Sequence, residues 1–577
     1  MHTIDYSIIG FYFVVLILLG WVLRKRASHG LDEYFLGGRK IPWWVLGVSG
    51  MASNLDMTGT MVIISFFYIL GAKGFLIELR GGVCLAMAFF MVILGKWHSR
   101  AGVMTVAEWM EFRFGRGKQG ELARLLSTLA TVITTIGMVA YFFVGTGKFL
   151  SMFLPFSPQV CSLIMIAVAL FYTTLSGIYG VAYTDLFQSL LIGFATVFIS
   201  VKAFISVDYA AVQAMTPPGW TNVIPSWRMA MPSGYEIYNL LGLSVIFYFL
   251  KVFIEGFGGP QGYTAQRYFS VKSDRESGLL SMLWISLLSF RWPFIMAIAL
   301  LGFTLGPQVT DPEMVLPMVL VHLIPTGIKG LMIAALIAAA MSTFDSTINA
   351  GASYLINDIY RKHITPRATE KQLVRASYIA SIVIVILGIA IGLVTPTINA
   401  IWGWITMSLG AGMFIPLLVR WYRWRLNGYG FAMGTAVGII GAILQKALFP
   451  SWPEWMAFLA VSFISLCGMM ITTLLTEATP IEVLNNFYSK TRPFGFWHKI
   501  RQGFDQRVIF SIRKEARGDL LALAFAIPWH LALFLTPVHL VLHYWSRFFL
   551  FLSILAISSI GLYFFWYRNL DRDYLKE

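Results

Sequence analysis

Four side chains able to hold a cation, Ser342, Thr343, Asp345 and Ser346, fall within five residues in the middle of an apolar stretch, AAAMSTFDSTINAGASYLINDIY at 338–360. In a helix, Ala339, Ser342 and Thr343 stand at i, i+3 and i+4, as do Ser342, Asp345 and Ser346, so two adjoining patches share Ser342. Hydroxyl and carboxylate oxygens suit a hard cation such as Na⁺; soft transition metals would want Cys or His. Serine and threonine in a membrane helix also bond the carbonyl one turn back or a neighbouring helix. That leaves Asp345, and an ionisable residue at this depth marks function by default. Asp345 is either a cation ligand or the partner of a basic residue on another helix, such as Lys251 or Arg291.

A second polar interruption lies in IPWWVLGVSGMASNLDMTGTMVIISFFYILG, residues 41–71, whose middle from Gly50 to Gly59 is small and polar. It is either a discontinuous helix whose unwound carbonyls can coordinate a cation, or a kinked helix with a small-residue packing seam.

The elements that must position these groups are membrane helices. Of the 577 residues 58% are hydrophobic and only 12% charged, about half the charge of a soluble domain. Apolar runs of about 20 residues, the length that crosses a bilayer as a helix, recur along the chain. There are fifteen, from 4–23 to 545–566, among them 43–72, 75–95, 158–176, 180–206, 237–256 and 330–356. An all-α polytopic bundle follows, since these runs are too long for barrel strands and lipid admits no other fold. The first run has no basic n-region and no small-residue cleavage site, so it is expected to be a retained span.

The net charge of +15 does not point to nucleic acid. Basic residues cluster in alternate loops, such as Arg24–Arg26, Arg113–Arg124, Arg361–Arg367 and Lys490–Arg517, while 207–236 and 306–329 are nearly free of them. By the positive-inside rule the basic loops are cytoplasmic, the N-terminus outside and the C-terminus inside, in a plasma membrane or bacterial inner membrane. Cys84, Cys161 and Cys467 form no metal-type spacing. No GxxxxGK[ST] motif marks an ATP-driven pump. His530, His539 and His543 cross an expected turn at 536–537 and are read as isolated interfacial residues rather than an enzyme's site.

The sequence resembles the sodium/solute symporter family, which includes sodium–glucose, sodium–proline and sodium–sialic acid transporters. The matching elements, in family order, are DEYFLGGRKIPWW (32–44), MTVAEWMEFRFG (104–115), GIYGVAYTDLFQSLLIG (177–193), YTAQRYFSVKSDRESG (263–278) and MSTFDSTINAGASYLINDIY (341–360). The resemblance implies a LeuT-type core of two inverted five-helix repeats over 43–420, preceded by one helix and its cytoplasmic loop (1–42). Two accessory helices (421–476), a basic loop (477–518) and a C-terminal hairpin with a short tail (519–577) follow. It implies a sodium site on the carbonyls of Ala52, Leu55 and Ala339 and the hydroxyls of Ser342 and Thr343. Some relatives bind a second sodium, which here would fall on Asp185, Ser342, Asp345 and Ser346, so one or two Na⁺ are expected. Asp345 departs from the family pattern, where a small or hydroxyl residue is usual.

The implied function is sodium-coupled import of a small polar solute by alternating access, with the lipid bilayer as the other partner and no obligate protein partner evident. A membrane solute sensor is the alternative, though neither 477–518 nor the tail is long enough to be an output module. Solute contacts are expected from Asp56, Arg80, Glu255 and Phe257. Asp56 next to the sodium carbonyls would need compensation by solute, sodium or Arg80. Lys251 and Glu255 are also an obvious i, i+4 pair that would neutralise itself.

Overall fold

A computed structural model describes residues 1–27, 41–103, 105–395 and 397–570, the side chains of 20–27 and 172–180 excepted. The loop residues 28–40, including Arg39 and Lys40, and the tail 571–577 lie outside the described residues. Helices account for most of what is described, as hydrocarbon requires of a backbone that must satisfy its own hydrogen bonds. Among the described residues twelve helices are long and apolar enough to cross a membrane. The apolar stretches Thr3–Leu19 and Pro158–Phe171, each part of a longer helix, and the short Pro312–Leu323 join them, against the fifteen crossings expected. The last of these occupies part of the 306–329 segment expected to be loop.

After α1 (Thr3–Ala27) the second apolar run forms two helices, α2 (Trp43–Asn54) and α3 (Met57–Leu70). Leu55 leaves helical geometry at φ −97°, ψ 51°, and extended Asp56 starts α3 as its N-cap, its carboxylate accepting the Gly59 N–H. The second span is therefore discontinuous and not merely kinked.

The third run, expected as one span over 75–95, is also broken. Helical turns at Gly74–Ile77 and Glu78–Arg80 give way to irregular chain over 81–85, and helix resumes at Ala86, continuing through a π-helical stretch, Phe90–Leu94, to Ser99. A Cβ at Gly81 would meet the Trp402 ring and one at Gly82 the Ile63 side chain, so glycine lets the chain pass here, and Cys84 adopts a left-handed φ of 52°, a conformation that costs a non-glycine residue about 1–3 kcal/mol.

α4 (Lys118–Leu150) follows, then α5 (Pro158–Ser206), one uninterrupted helix where two spans, 158–176 and 180–206, were expected. Beyond Pro158 in its first turn no proline interrupts α5, so the i to i−4 bonding continues. The seventh span consists of α6 (Leu241–Gly258) and α7 (Gly262–Ser270), separated at Gly259 (φ 92°) and Pro260. The first helix of each repeat is thus interrupted, the arrangement that places binding at the midplane of such folds.

α8 (Asp274–Leu288), α9 (Arg291–Phe303), α10 (Ile328–Tyr354), α11 (Glu370–Leu393) and α12 (Gly410–Tyr422) complete the core. α10 is its spine, buried at every residue from Met332 to Tyr354, and it packs against α1, α2, α4 and α5.

α13 (Gly428–Leu448) and α14 (Glu454–Leu475) pack on each other and on α12. The stretch 477–518 is not all loop: it holds a helix at Ile481–Thr491, and α15 (Gln506–Val541) begins within it. α15 contains Pro528 and Pro537, so the turn to α16 (Trp545–Phe565) falls after Val541 rather than at 536–537. The hairpin is joined to the third segment. Lys96 pairs with Glu515 (2.9 Å) and Asp519 (2.7 Å), and Arg100 with Glu515 (2.7 Å) and Asp274 (2.8 Å). His530 Nε2 lies 3.1 Å from the Val83 carbonyl, inside the break. His539 and His543 rest on the carbonyls of Leu535 and Phe204, so the three histidines form no common site.

Candidate functional site

The break in α2–α3 and the hydroxyl face of α10 meet directly. Thr343 Oγ1 donates to the Ser53 carbonyl at 2.8 Å and lies 3.2 Å from the Ala339 carbonyl. Ala52 lies in the last turn of α2 and Leu55 just past its end, beside this contact, and all five residues expected to form the first sodium site are buried. Ser342 neighbours Asp185, so the two expected ion sets meet at this hydroxyl. Neutral carbonyl and hydroxyl oxygens at a helix break fit Na⁺, which needs hard donors and no formal charge.

The second set is arranged differently from expectation. Asp185 accepts from Ser49 Oγ at 2.5 Å. The Nη2 of Arg267, on α7, has four acceptors within hydrogen-bond distance for its two N–H groups, Ser49 Oγ (2.8 Å), Ser53 Oγ (2.8 Å), Ser346 Oγ (3.0 Å) and the Ser49 carbonyl (3.2 Å), and lies 3.8 Å from Asp185. Asp345 is fully buried, and it and Asp185 both neighbour Tyr12 of α1. Its two proposed basic partners are engaged elsewhere: Lys251 pairs with Glu255 at 2.7 Å, and Arg291 donates to the Asn54 carbonyl (3.0 Å) and Thr60 (3.3 Å).

A cavity of about 260 Å³ lies beside the two breaks. Asn54, Cys84, Lys251, Glu255, Gln261, Tyr263, Thr134, Thr406 and Trp402 are among its walls, and it runs along α4 toward Ser127, next to the basic end of that helix. Of the four residues expected to touch solute, only Glu255 lines it. Asp56 is turned away, occupied in capping α3 and accepting from Tyr141 at 3.1 Å. Phe257 packs its ring against Phe89, Tyr422 and Phe494.

Arg80 has no part in compensating Asp56. It bonds Glu454 at the start of α14, Glu78 (3.3 Å), Asn399 (2.7 Å) and Tyr238 (2.7 Å), all in a buried cluster at the end of the molecule opposite the basic loops. Glu454 also accepts from Tyr238 (2.7 Å) and Tyr248 (2.8 Å). The cavity is therefore closed on one side by an ion-paired plug and extends toward the other.

Cys84, Gln261 and Tyr263 do not stand out by run length, which reads the third span as continuous over 75–95 and the seventh as ending at 256. The signals were present: Gly81-Gly82 in one and Gly258-Gly259-Pro260 in the other are strong interruptions of a helix.

Comparison with known proteins finds the sodium:solute symporter family over residues 34–438. The chain is 26% identical over 465 residues to a sodium/sialic acid symporter of Proteus mirabilis, spanning 77% of this chain and 89% of that protein. It is 24% identical over 545 residues to a sodium/glucose cotransporter of Vibrio parahaemolyticus, spanning 86% and 95%. Among solved structures, a substrate-bound outward-open Na⁺-coupled sialic acid symporter superposes with a TM-score of 0.67 at 23% identity, covering 83% of this chain and 99% of that one. The shared fold is the LeuT-type bundle.

Proposed function

The chain belongs to the sodium:solute symporter family, a family of transporters rather than enzymes, and from that premise we propose that it imports a small polar solute coupled to sodium bound by Ala52, Leu55, Ala339, Ser342 and Thr343. The observation that carries the ion site is the Thr343 hydroxyl seated 2.8 Å from the Ser53 carbonyl, which joins the α10 face to the broken helix. The alternative of a solute sensor draws no support from these relatives.

With the basic ends cytoplasmic, the N-terminus lies outside and the cavity opens inward, while the Arg80–Glu454 cluster closes the outer path. The cavity is smaller than a drug-sized pocket, and its hydroxyl, amide and paired charges beside Trp402 suit a hydroxyl-rich solute of sugar size. The sialic acid and glucose named for the relatives belong to that class.

At about −100 mV one Na⁺ gains ~2.3 kcal/mol, and a tenfold gradient adds ~1.4 kcal/mol. Together these sustain roughly 500-fold accumulation of a neutral solute. Uptake of labelled sugars and sialic acid into proteoliposomes, with sodium or choline outside, tests the reading. Ser342→Ala with Thr343→Ala should raise the sodium requirement at least tenfold in a folded protein. Uptake indifferent to sodium in both proteins would end it.

A further inference from the structure

We propose that the guanidinium of Arg267 is the resident cation of the second site, so that this carrier couples each solute to a single sodium ion. The inference rests on the sodium-coupled reading above.

Arg267 is 4% exposed, and it lies on α7 just past the interruption of the seventh span. Its Nη2 has four oxygens within 3.2 Å, from Ser49, Ser53 and Ser346, with Asp185 at 3.8 Å. Three different helices, α2, α5 and α10, supply that cage, and its chemistry of hydroxyls and one carboxylate is what a sodium ion would use. Asp185 and Ser346 are two of the residues expected to hold the second ion. Here they hold a cation that cannot dissociate from the protein and cannot be deprotonated.

The cage is closed around that group. Ser53 Oγ and Ser346 Oγ are 2.7 Å apart, and Ser49 Oγ spans from Arg267 to Asp185. The guanidinium is further seated over the rings of Tyr263 (5.4 Å) and Trp284 (5.6 Å). A free sodium in the same oxygens would meet a second positive charge at contact distance, with the donors already turned to the arginine. None of the five first-site residues, Ala52, Leu55, Ala339, Ser342 and Thr343, is among the contacts of Arg267, so that site keeps its ion. Tyr263 also lines the solute cavity and its hydroxyl accepts from Asn54 at 3.0 Å, so the resident cation is joined to the solute's position.

The test is the order of the sodium dependence. Purified protein is heated at a series of sodium concentrations at constant ionic strength, and uptake is measured in proteoliposomes over the same series. Wild type should respond with a Hill coefficient near one, and with a stabilisation that rises as expected for one bound ligand. Arg267→Gln vacates the cage and should raise the coefficient toward two, whereas Arg267→Lys, which keeps a tethered cation, should leave it near one. A wild-type coefficient near two overturns the proposal, and so does a folded, sodium-responsive Arg267→Gln protein that stays at one. Where Arg267→Gln fails to fold, the wild-type coefficient decides by itself. A wild type with no sodium response at all is a different result, which overturns the symport reading and this inference with it.

Discussion

Replacing Glu454 by glutamine should open the side of the molecule that the structure holds shut. Glu454 accepts from Arg80, from Tyr238 at 2.7 Å and from Tyr248 at 2.8 Å; once its charge is gone, Arg80 retains the Glu78 carboxylate at 3.3 Å and Asn399 at 2.7 Å. The amide keeps the carboxylate's shape, so the perturbation is one of charge. Breaking a buried ion pair outright costs about 3–5 kcal/mol, and a hydrogen bond to a charged group contributes about 1.5–3 kcal/mol. Because Glu78 still neutralises Arg80, the lower range applies, about 2 kcal/mol. That loss falls on the closed state alone and shifts the open-to-closed ratio about 30-fold.

Cys84 reports it, because it lines the cavity and the other two cysteines, Cys161 and Cys467, can be changed to alanine. A membrane-impermeant maleimide added to right-side-out vesicles should label Cys84 slowly in the parent. In Glu454→Gln the rate should rise by up to the same 30-fold, while uptake slows because the state closed at the Arg80–Glu454 cluster is less populated. A folded Glu454→Gln protein with parental labelling from outside refutes the reasoning, and so does one that gains reactivity only from the basic side.

Two further outcomes are expected. Asp56→Ala removes the α3 cap and the Tyr141 acceptor together, so thermal unfolding should report a loss of about 1–2 kcal/mol, and Tyr141→Phe should add little to it in the double mutant. Cys84→Gly relieves a left-handed residue at φ 52° and should raise stability by about 1 kcal/mol, measured by thermal unfolding at fixed sodium; a loss would show that the thiol's packing outweighs the strain.

Much of the fold was legible because hydrocarbon leaves so few choices. Run length located most of the helices, and Ser53-Asn54-Leu55-Asp56 announced the first interruption because no continuous apolar helix needs those residues at its midpoint. The hydroxyl face of α10 was legible from periodicity alone. What could not be read was direction. Leu79 and Gly81 line the cavity while Arg80 between them points into the plug, a distinction set by a 3₁₀ turn that a hydropathy pattern does not register. Asp56 has the sequence position of a solute ligand, but an extended residue beginning a helix spends its carboxylate on that helix's own backbone, here the Gly59 N–H. Arg267 belonged to a quoted motif yet suggested nothing, since its partners lie on helices remote in sequence.

The interruption at 81–85 divides the third segment into two levers with a fulcrum between them. The upper arm ends in Arg80, fastened to Glu454; the lower arm ends in Lys96 and Arg100, fastened to the C-terminal hairpin through Glu515 and Asp519. A straight rod would carry torque from one anchorage to the other, so unfastening the top would strain the bottom. The fulcrum absorbs that torque instead, which lets the two anchorages be released in turn rather than together. Its lining residues Gly81, Cys84 and Leu85 face the cavity, so a solute bound there would rest against the pivot itself, where a small displacement would be felt by both arms.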